Sequence, residues 1–138
     1  HDAIGKHRSR IDEQRIDLRT DFASTIPRLR LDHANLSSAL ANIIENAIEA
    51  MEGEIRKLTI TTKLSDGTVE ISIDDTGRGI SREKIKNIYD PFYTGKTHGP
   101  GLGLYLALRT IQSHKGTIRV ESKEQEGTRF SIRLPLNM

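Results

Sequence analysis

Thr68-Val69-Glu70-Ile71-Ser72-Ile73-Asp74-Asp75-Thr76-Gly77-Arg78-Gly79-Ile80 begins as a strand and ends as a site. Val69, Ile71, Ile73 and Asp75 share one face, because successive strand side chains point to opposite sides of a sheet. Three apolar residues commit that face to a core, and Asp75 follows them inward. A carboxylate placed there is costly unless something donates to it. Gly77 and Gly79 let the backbone bend beyond the strand and approach a flat ligand, with Ile80 next to them. Two readings fit Asp75: a cap on the turn that follows its strand, or an acceptor for a donor such as the exocyclic amine of adenine.

Upstream, residues 58–64 read as a second strand, joined to the first across Asp66-Gly67, a dipeptide suited to a tight hairpin. Before it, Leu36, Leu40, Ile43, Ile44, Ala47, Ile48 and Met51 fall at helical spacing behind an Asp32 N-cap, and Gly53 is expected to end the helix. Ile16, Leu18 and Thr20 alternate with Asp17 and Arg19, and Leu29 and Leu31 with Arg28 and Arg30, which predicts two short strands around a loop at 24–27. Residues 1–15 are mostly charged and lack a wide apolar stripe. They read as a linker or the end of a preceding helix, with the domain proper at 16–138.

Downstream, a short helix is expected near Ser81, carrying Ile85 and Ile88. Residues 90–103 read as a loop feeding a helix at 102–114, which Gly116 would cap. Residues 117–122 and 128–134 form a last hairpin, with Phe130, Ile132 and Leu134 on one face and Ser131 and Arg133 on the other. Together these elements predict an α+β, two-layer sandwich: a mixed, mostly antiparallel sheet covered on one face by about three helices.

A chain of 138 residues holds one core, so a single domain is expected. Lys and Arg number 21 against 19 Asp and Glu, the charges are scattered, and Trp is absent. That argues against a nucleic-acid platform, which gathers basic residues and stacking aromatics on one face. With no cysteine, neither a disulfide framework nor a thiolate metal site is available. No apolar run has the length of a membrane span, so no direct membrane contact is expected, and a cytoplasmic, monomeric domain fits; a parent protein anchored in a membrane is compatible with this.

Two further constellations carry chemistry. Asn42 and Asn46, four apart on the long helix, project away from its apolar stripe. They are either solvated surface residues or neutral oxygen donors for Mg²⁺, an ion that keeps waters and takes other ligands from phosphate. Gly99-Pro100-Gly101-Leu102-Gly103-Leu104 is a glycine-rich turn opening a helix. Taken alone it reads as an ordinary loop; the same geometry also offers unpaired N–H groups and the positive helix end to phosphate. Lys96 lies upstream, where a charge-assisted contact to terminal phosphates is available.

In this order the three resemble the boxes of histidine kinase catalytic domains, in the Bergerat-fold superfamily with gyrase, mismatch-repair ATPases and the large heat-shock chaperones. Asn42-Ile43-Ile44-Glu45-Asn46-Ala47 resembles the N box, Asp75-Thr76-Gly77-Arg78-Gly79 the first glycine box, Asp90-Pro91-Phe92-Tyr93 the F box and residues 99–104 the second glycine box. Gly127-Thr128-Arg129-Phe130 through Pro135 resembles the closing hairpin. The short lid and the N box look most like nitrogen-regulation type sensor kinases. The resemblance implies that Asp75 binds the adenine amine of ATP with Gly77, Gly79, Ile80 and Thr128 close by, while Asn42 and Asn46 handle Mg²⁺ and the phosphates. Residues 90–103 would be an ATP lid with Phe92 as its anchor and Lys96, Gly99, Gly101, Leu102, Gly103 and Leu104 toward the phosphates.

One position sorts the relatives. Hydrolases of the superfamily, and the anti-sigma type serine kinases, carry Glu as general base where this chain has Asn42, and an amide does not usefully accept a proton near neutral pH. Phosphoryl transfer to a histidine is therefore expected, with Glu45 a candidate for orienting the imidazole or else a solvated helix residue. A module that binds ATP and transfers nothing, and a serine kinase, are the alternatives. No phosphoacceptor motif is present: after His1-Asp2 the expected Arg and Pro are missing. The acceptor is thus expected on a separate dimerisation domain, with a response regulator downstream.

Overall fold

The computed structural model describes residues 1–23, 32–90 and 103–135. Its centre is the hairpin of β2 (Lys57–Ser65) and β3 (Thr68–Asp75), antiparallel in unbroken register from Leu58 opposite Asp75 to Ser65 opposite Thr68. Asp66 and Gly67 both take positive φ, +48° and +74°, as the favoured two-residue hairpin turn requires.

β5 (Gly127–Pro135) pairs antiparallel with the other side of β3, and β4 (Thr117–Lys123) pairs antiparallel with β5. On the opposite flank β1 (Asp17–Asp21) runs parallel to β2. The five-stranded sheet has the order β1-β2-β3-β5-β4. The parallel pair follows from connectivity: the long helix α3 (His33–Ala50) lies between β1 and β2 in the chain, and parallel neighbours need such a crossover. The mixed, mostly antiparallel sheet expected from the periodicity is thus present. The strand expected at 29–31 lies outside the described residues.

α3 and α5 (Gly103–Ser113) bury their apolar faces on one side of the sheet. Ile43, Ile48 and Ile111 from the helices meet Leu58, Ile73, Ile132 and Leu134 from the strands, all essentially inaccessible. Each such side chain contributes about 1.5–3 kcal/mol on burial. Asp32 caps α3 by accepting from the Asn35 N–H at 3.2 Å. The helix does not run on to Gly53, as expected, but stops at Ala50. There the Ala50 carbonyl accepts the Arg78 N–H at 3.0 Å, and Met51 turns into extended backbone and is buried.

The end of α5 differs too. Gly116 does not adopt the left-handed conformation; Lys115 does, at φ +59°. Lys115 N–H reaches the Gln112 carbonyl and Gly116 N–H the Ile111 carbonyl, both at 2.9 Å, the paired bonds of a Schellman motif. Gly116 is needed for closeness instead, since a Cβ there would lie 2.6 Å from the Arg133 carbonyl oxygen.

Residues 1–15, read as a linker or helix end, form α1 (Asp2–Gly5) and α2 (Arg8–Glu13). Ala3 and Ile11 belong to the same core as α3. His7 Nε2 hydrogen-bonds the Ala41 carbonyl at 3.0 Å, Lys6 donates to Ser38 Oγ, and Arg56 donates to the Gln14 and Gly53 carbonyls. Two inward side chains on two short helices make no visible stripe, which is why composition alone suggested looseness. The remaining helix, α4 (Arg82–Ile85), is capped by Ser81 Oγ accepting from Lys84 N–H. No helix among the described residues is long and apolar enough to cross a membrane.

Candidate functional site

β3 delivers Asp75 to the edge of the core, and its register partner on β5 is Thr128. Thr128 is in turn paired with Ser122 on β4. A carboxylate and two hydroxyl groups thus stand in one row across three adjacent strands. Asp75 and Thr128 are the buried polar residues of the described core, 8% and 7% exposed. Asp75 Oδ1 accepts the Gly77 N–H at 2.8 Å. Burial pushes the Asp75 carboxyl up to about 6; the Gly77 and Thr128 backbone N–H groups and Arg78 pull against that, while Asp74 adds to it. The cap reading and the acceptor reading of Asp75 are therefore compatible: one oxygen holds the turn.

The loop after β3 is glycine-rich for steric reasons. A Cβ on Gly77 would lie 2.6 Å from the Ala50 carbonyl oxygen, where α3 ends. Gly79 has φ +72°, and a Cβ there would overlap the Lys123 carbonyl. The loop is squeezed between a helix terminus and the β4–β5 hairpin. Ile80 N–H then donates to Ser122 Oγ at 2.8 Å, fastening the loop to the end of the row.

Between these elements lies a cleft of about 190 Å³. Ile80, Ile88, Leu104 and Phe130 form apolar walls, and Asp75 and Thr128 lie at its polar floor. Asn46 and Ala50 line it from α3, Lys84 from α4, and Arg78 and Gln125 from the loops. Apolar walls with a few convergent acceptors suit a flat heteroaromatic group that carries a donor.

Asn46 Nδ2 donates to the Asn42 carbonyl at 3.0 Å, so the amide is oriented by its own helix. The start of α5 abuts the pair: a Cβ on Gly103 would lie 3.7 Å from Asn42 Cβ. The positive end of an eleven-residue helix therefore lies beside two amides. Among the described residues no cluster of three His, Cys, Asp or Glu could hold a metal by itself. Neutral amide oxygens fit Mg²⁺ arriving with phosphate, and the residues present are compatible with that ion.

Of the residues singled out in the sequence, Asn46, Asp75, Gly79, Ile80, Leu104 and Thr128 line one cleft, with Gly77 bonded to Asp75 and Gly103 next to Asn42. Glu45 faces α2, where its Oε1 lies 3.7 Å from Arg10. Phe92, Lys96, Gly99, Gly101 and Leu102 lie outside the described residues. The sequence reading missed Ser122, Arg78 and the wall residues Ile88 and Phe130. The last two read only as core, and Ser122 is reached only by counting register across the last hairpin. Arg78 donates to the Glu49 carbonyl and to Glu52 Oε1 at 2.9 Å, which holds the rim to the end of α3.

Residues 31–138 match the family described as histidine kinase-, DNA gyrase B-, and HSP90-like ATPase. Sensor histidine kinase ZraS of Escherichia coli K12 is 36% identical over 123 residues, covering 89% of this chain and 26% of that protein. Signal transduction histidine-protein kinase AtoS of the same organism is 37% identical over 125 residues, covering 91% and 21%. This chain therefore spans about a quarter or less of these relatives' length. The catalytic domain of histidine kinase ThkA, nucleotide-free, superposes with a TM-score of 0.85 at 31% identity, covering 97% of this chain and 88% of that one. Full-length ShkA in complex with AMPPNP superposes at 0.84 with 26% identity, covering 96% of this chain and 28% of that one.

Proposed function

The chain belongs to the family of histidine kinase-, DNA gyrase B- and HSP90-like ATPases, as the catalytic ATP-binding domain of the sensor histidine kinase kind, and on that premise we propose that it positions Mg-ATP for phosphoryl transfer to a histidine outside this chain. The observation that carries this is the acceptor floor of Asp75 and Thr128 beneath apolar walls, with Asn42 and the start of α5 at the far end of the same surface. The adenine amine donates to Asp75 and the base packs between Ile80, Ile88, Leu104 and Phe130. The triphosphate runs toward Asn46, Asn42 and the N–H groups opening α5, with Lys96, Gly99, Gly101 and Leu102 on the segment leading into that helix and Phe92 anchoring it.

Asn42 and Asn46 would hold Mg²⁺, which supplies charge neutralisation on the phosphates. The acceptor imidazole nitrogen forms a bond to the γ-phosphorus as the bond to the β-bridging oxygen breaks, and ADP leaves. A neutral imidazole needs no strong base, so this chain's residues supply position and electrostatics. Glu45, which pairs with Arg10 on the α2 side of α3, is the candidate for orienting that ring. The acceptor belongs to a dimerisation domain, and a response regulator receives the phosphoryl group next. The domain itself works as a cytoplasmic monomer, with no nucleic-acid or membrane contact of its own.

The test is calorimetric titration with Mg-ATP, followed by adding a phosphoacceptor domain in trans. Saturable binding and an acid-labile phosphohistidine are expected. No binding at millimolar ATP sinks the proposal, and binding with acid-stable phosphate on the target redirects it to a serine kinase.

A further inference from the structure

Ser122 is the unexplained member of the row. Its Oγ accepts the Ile80 N–H at 2.8 Å, lies 2.8 Å from Thr128 Oγ1 and donates to the Gly127 carbonyl at 3.0 Å. A serine hydroxyl has one proton and two lone pairs. With its proton on Gly127 and one lone pair taken by Ile80, it has only a lone pair left for Thr128. Thr128 must then be the donor of that bond, which leaves the Thr128 oxygen only lone pairs to present to the cleft it lines.

We infer that Ser122 is a positioning residue that sets base selectivity: by fixing the Thr128 proton it makes the cleft floor accept at both Asp75 and Thr128. Such a floor matches a 6-amino purine, whose amine only donates there, and rejects a 6-oxo purine, whose oxygen would face two acceptors. Acceptors left unpaired against an acceptor are costly when buried, which is the general basis of strong discrimination. The geometry that carries this is register: Asp75, Thr128 and Ser122 are successive partners on β3, β5 and β4, so the hydroxyl chain is built into the sheet. The inference rests on the reading that the cleft takes the base of a nucleotide.

The experiment compares the affinities of the domain for ATP and inosine triphosphate, which differ at the 6-position, at pH 7.5, well above the titration of Asp75 near 6. Ser122→Ala frees the Thr128 proton. The ratio of ATP to inosine triphosphate affinity is expected to contract about tenfold or more, while Ser122→Thr, which keeps a hydroxyl, retains it. Thr128→Val removes the hydroxyl that Ser122 acts through, so adding Ser122→Ala to it should contract the ratio no further. A ratio unchanged in Ser122→Ala, with both affinities falling together, overturns the inference, because that is what a merely structural role gives. Additive effects in the double variant overturn it as well. Wild type that binds neither nucleotide fails the proposed function itself, and this inference with it. Wild type that binds ATP alongside an unaltered ratio in Ser122→Ala fails only the inference.

Discussion

Asp75 answers to two demands that pull apart. Its carboxyl titrates near 6 in the fold against 3.8 for the ordinary group, so keeping it charged at neutral pH costs about 3 kcal/mol, from roughly two pH units at 1.36 kcal/mol each. A folded pKa raised above the unfolded one stabilises fully below the unfolded value, and that contribution is lost as pH rises through about 6. Melting temperatures of wild type and Asp75→Asn should therefore converge on acidification from pH 7.5 to 5. At pH 7.5 the variant should melt several degrees higher and bind no ATP; a difference that is flat with pH would contradict this. Tyr89 is a simpler case: its hydroxyl is buried without a partner among the described residues, and burial pushes the phenol up to about 12. Tyr89→Phe should raise stability by about 1–2 kcal/mol in a denaturant titration, since the unmade hydrogen bond disappears with the group.

The elements divide by how local their instructions are. The β2–β3 hairpin was legible because alternation fixes the faces and Asp66-Gly67 fixes the turn. Asp75 and the two glycines after it were legible because their residue types are unusual at the end of a strand. The end of α5 was read through the wrong residue: Gly116 is the visible signal, but Lys115 carries the left-handed backbone. Lys115→Gly should accordingly stabilise by about 1 kcal/mol, measured as a higher denaturant midpoint at unchanged slope. Ser122 had no local signature at all. It is one polar residue in an alternating strand, and only its register opposite Thr128 gives it a task. Glu45 was visible on its helix, yet its pairing with Arg10 joins segments far apart in the chain.

At the scale of the molecule, the N-terminal helices are part of the fold that carries the site. Ile11 is 2% exposed and belongs to the same core cluster as α3, the helix that bears Asn42 and Asn46. Ile11→Ala should cost about 2–4 kcal/mol in urea unfolding, whereas a dispensable linker would lose nothing measurable. The order β1-β2-β3-β5-β4 has one further consequence. β3 is bonded along both sides, so its amide protons exchange with deuterium only when the whole sheet opens, while the four-residue α1 can fray alone. A ligand that binds the folded state slows only those exchange events that require unfolding of its site. Nucleotide should thus lengthen the exchange times of β3 and leave those of α1 nearly as they were. The base site proposed at Asp75 would then be anchored in a strand held along both sides, and would persist for as long as the sheet stays closed.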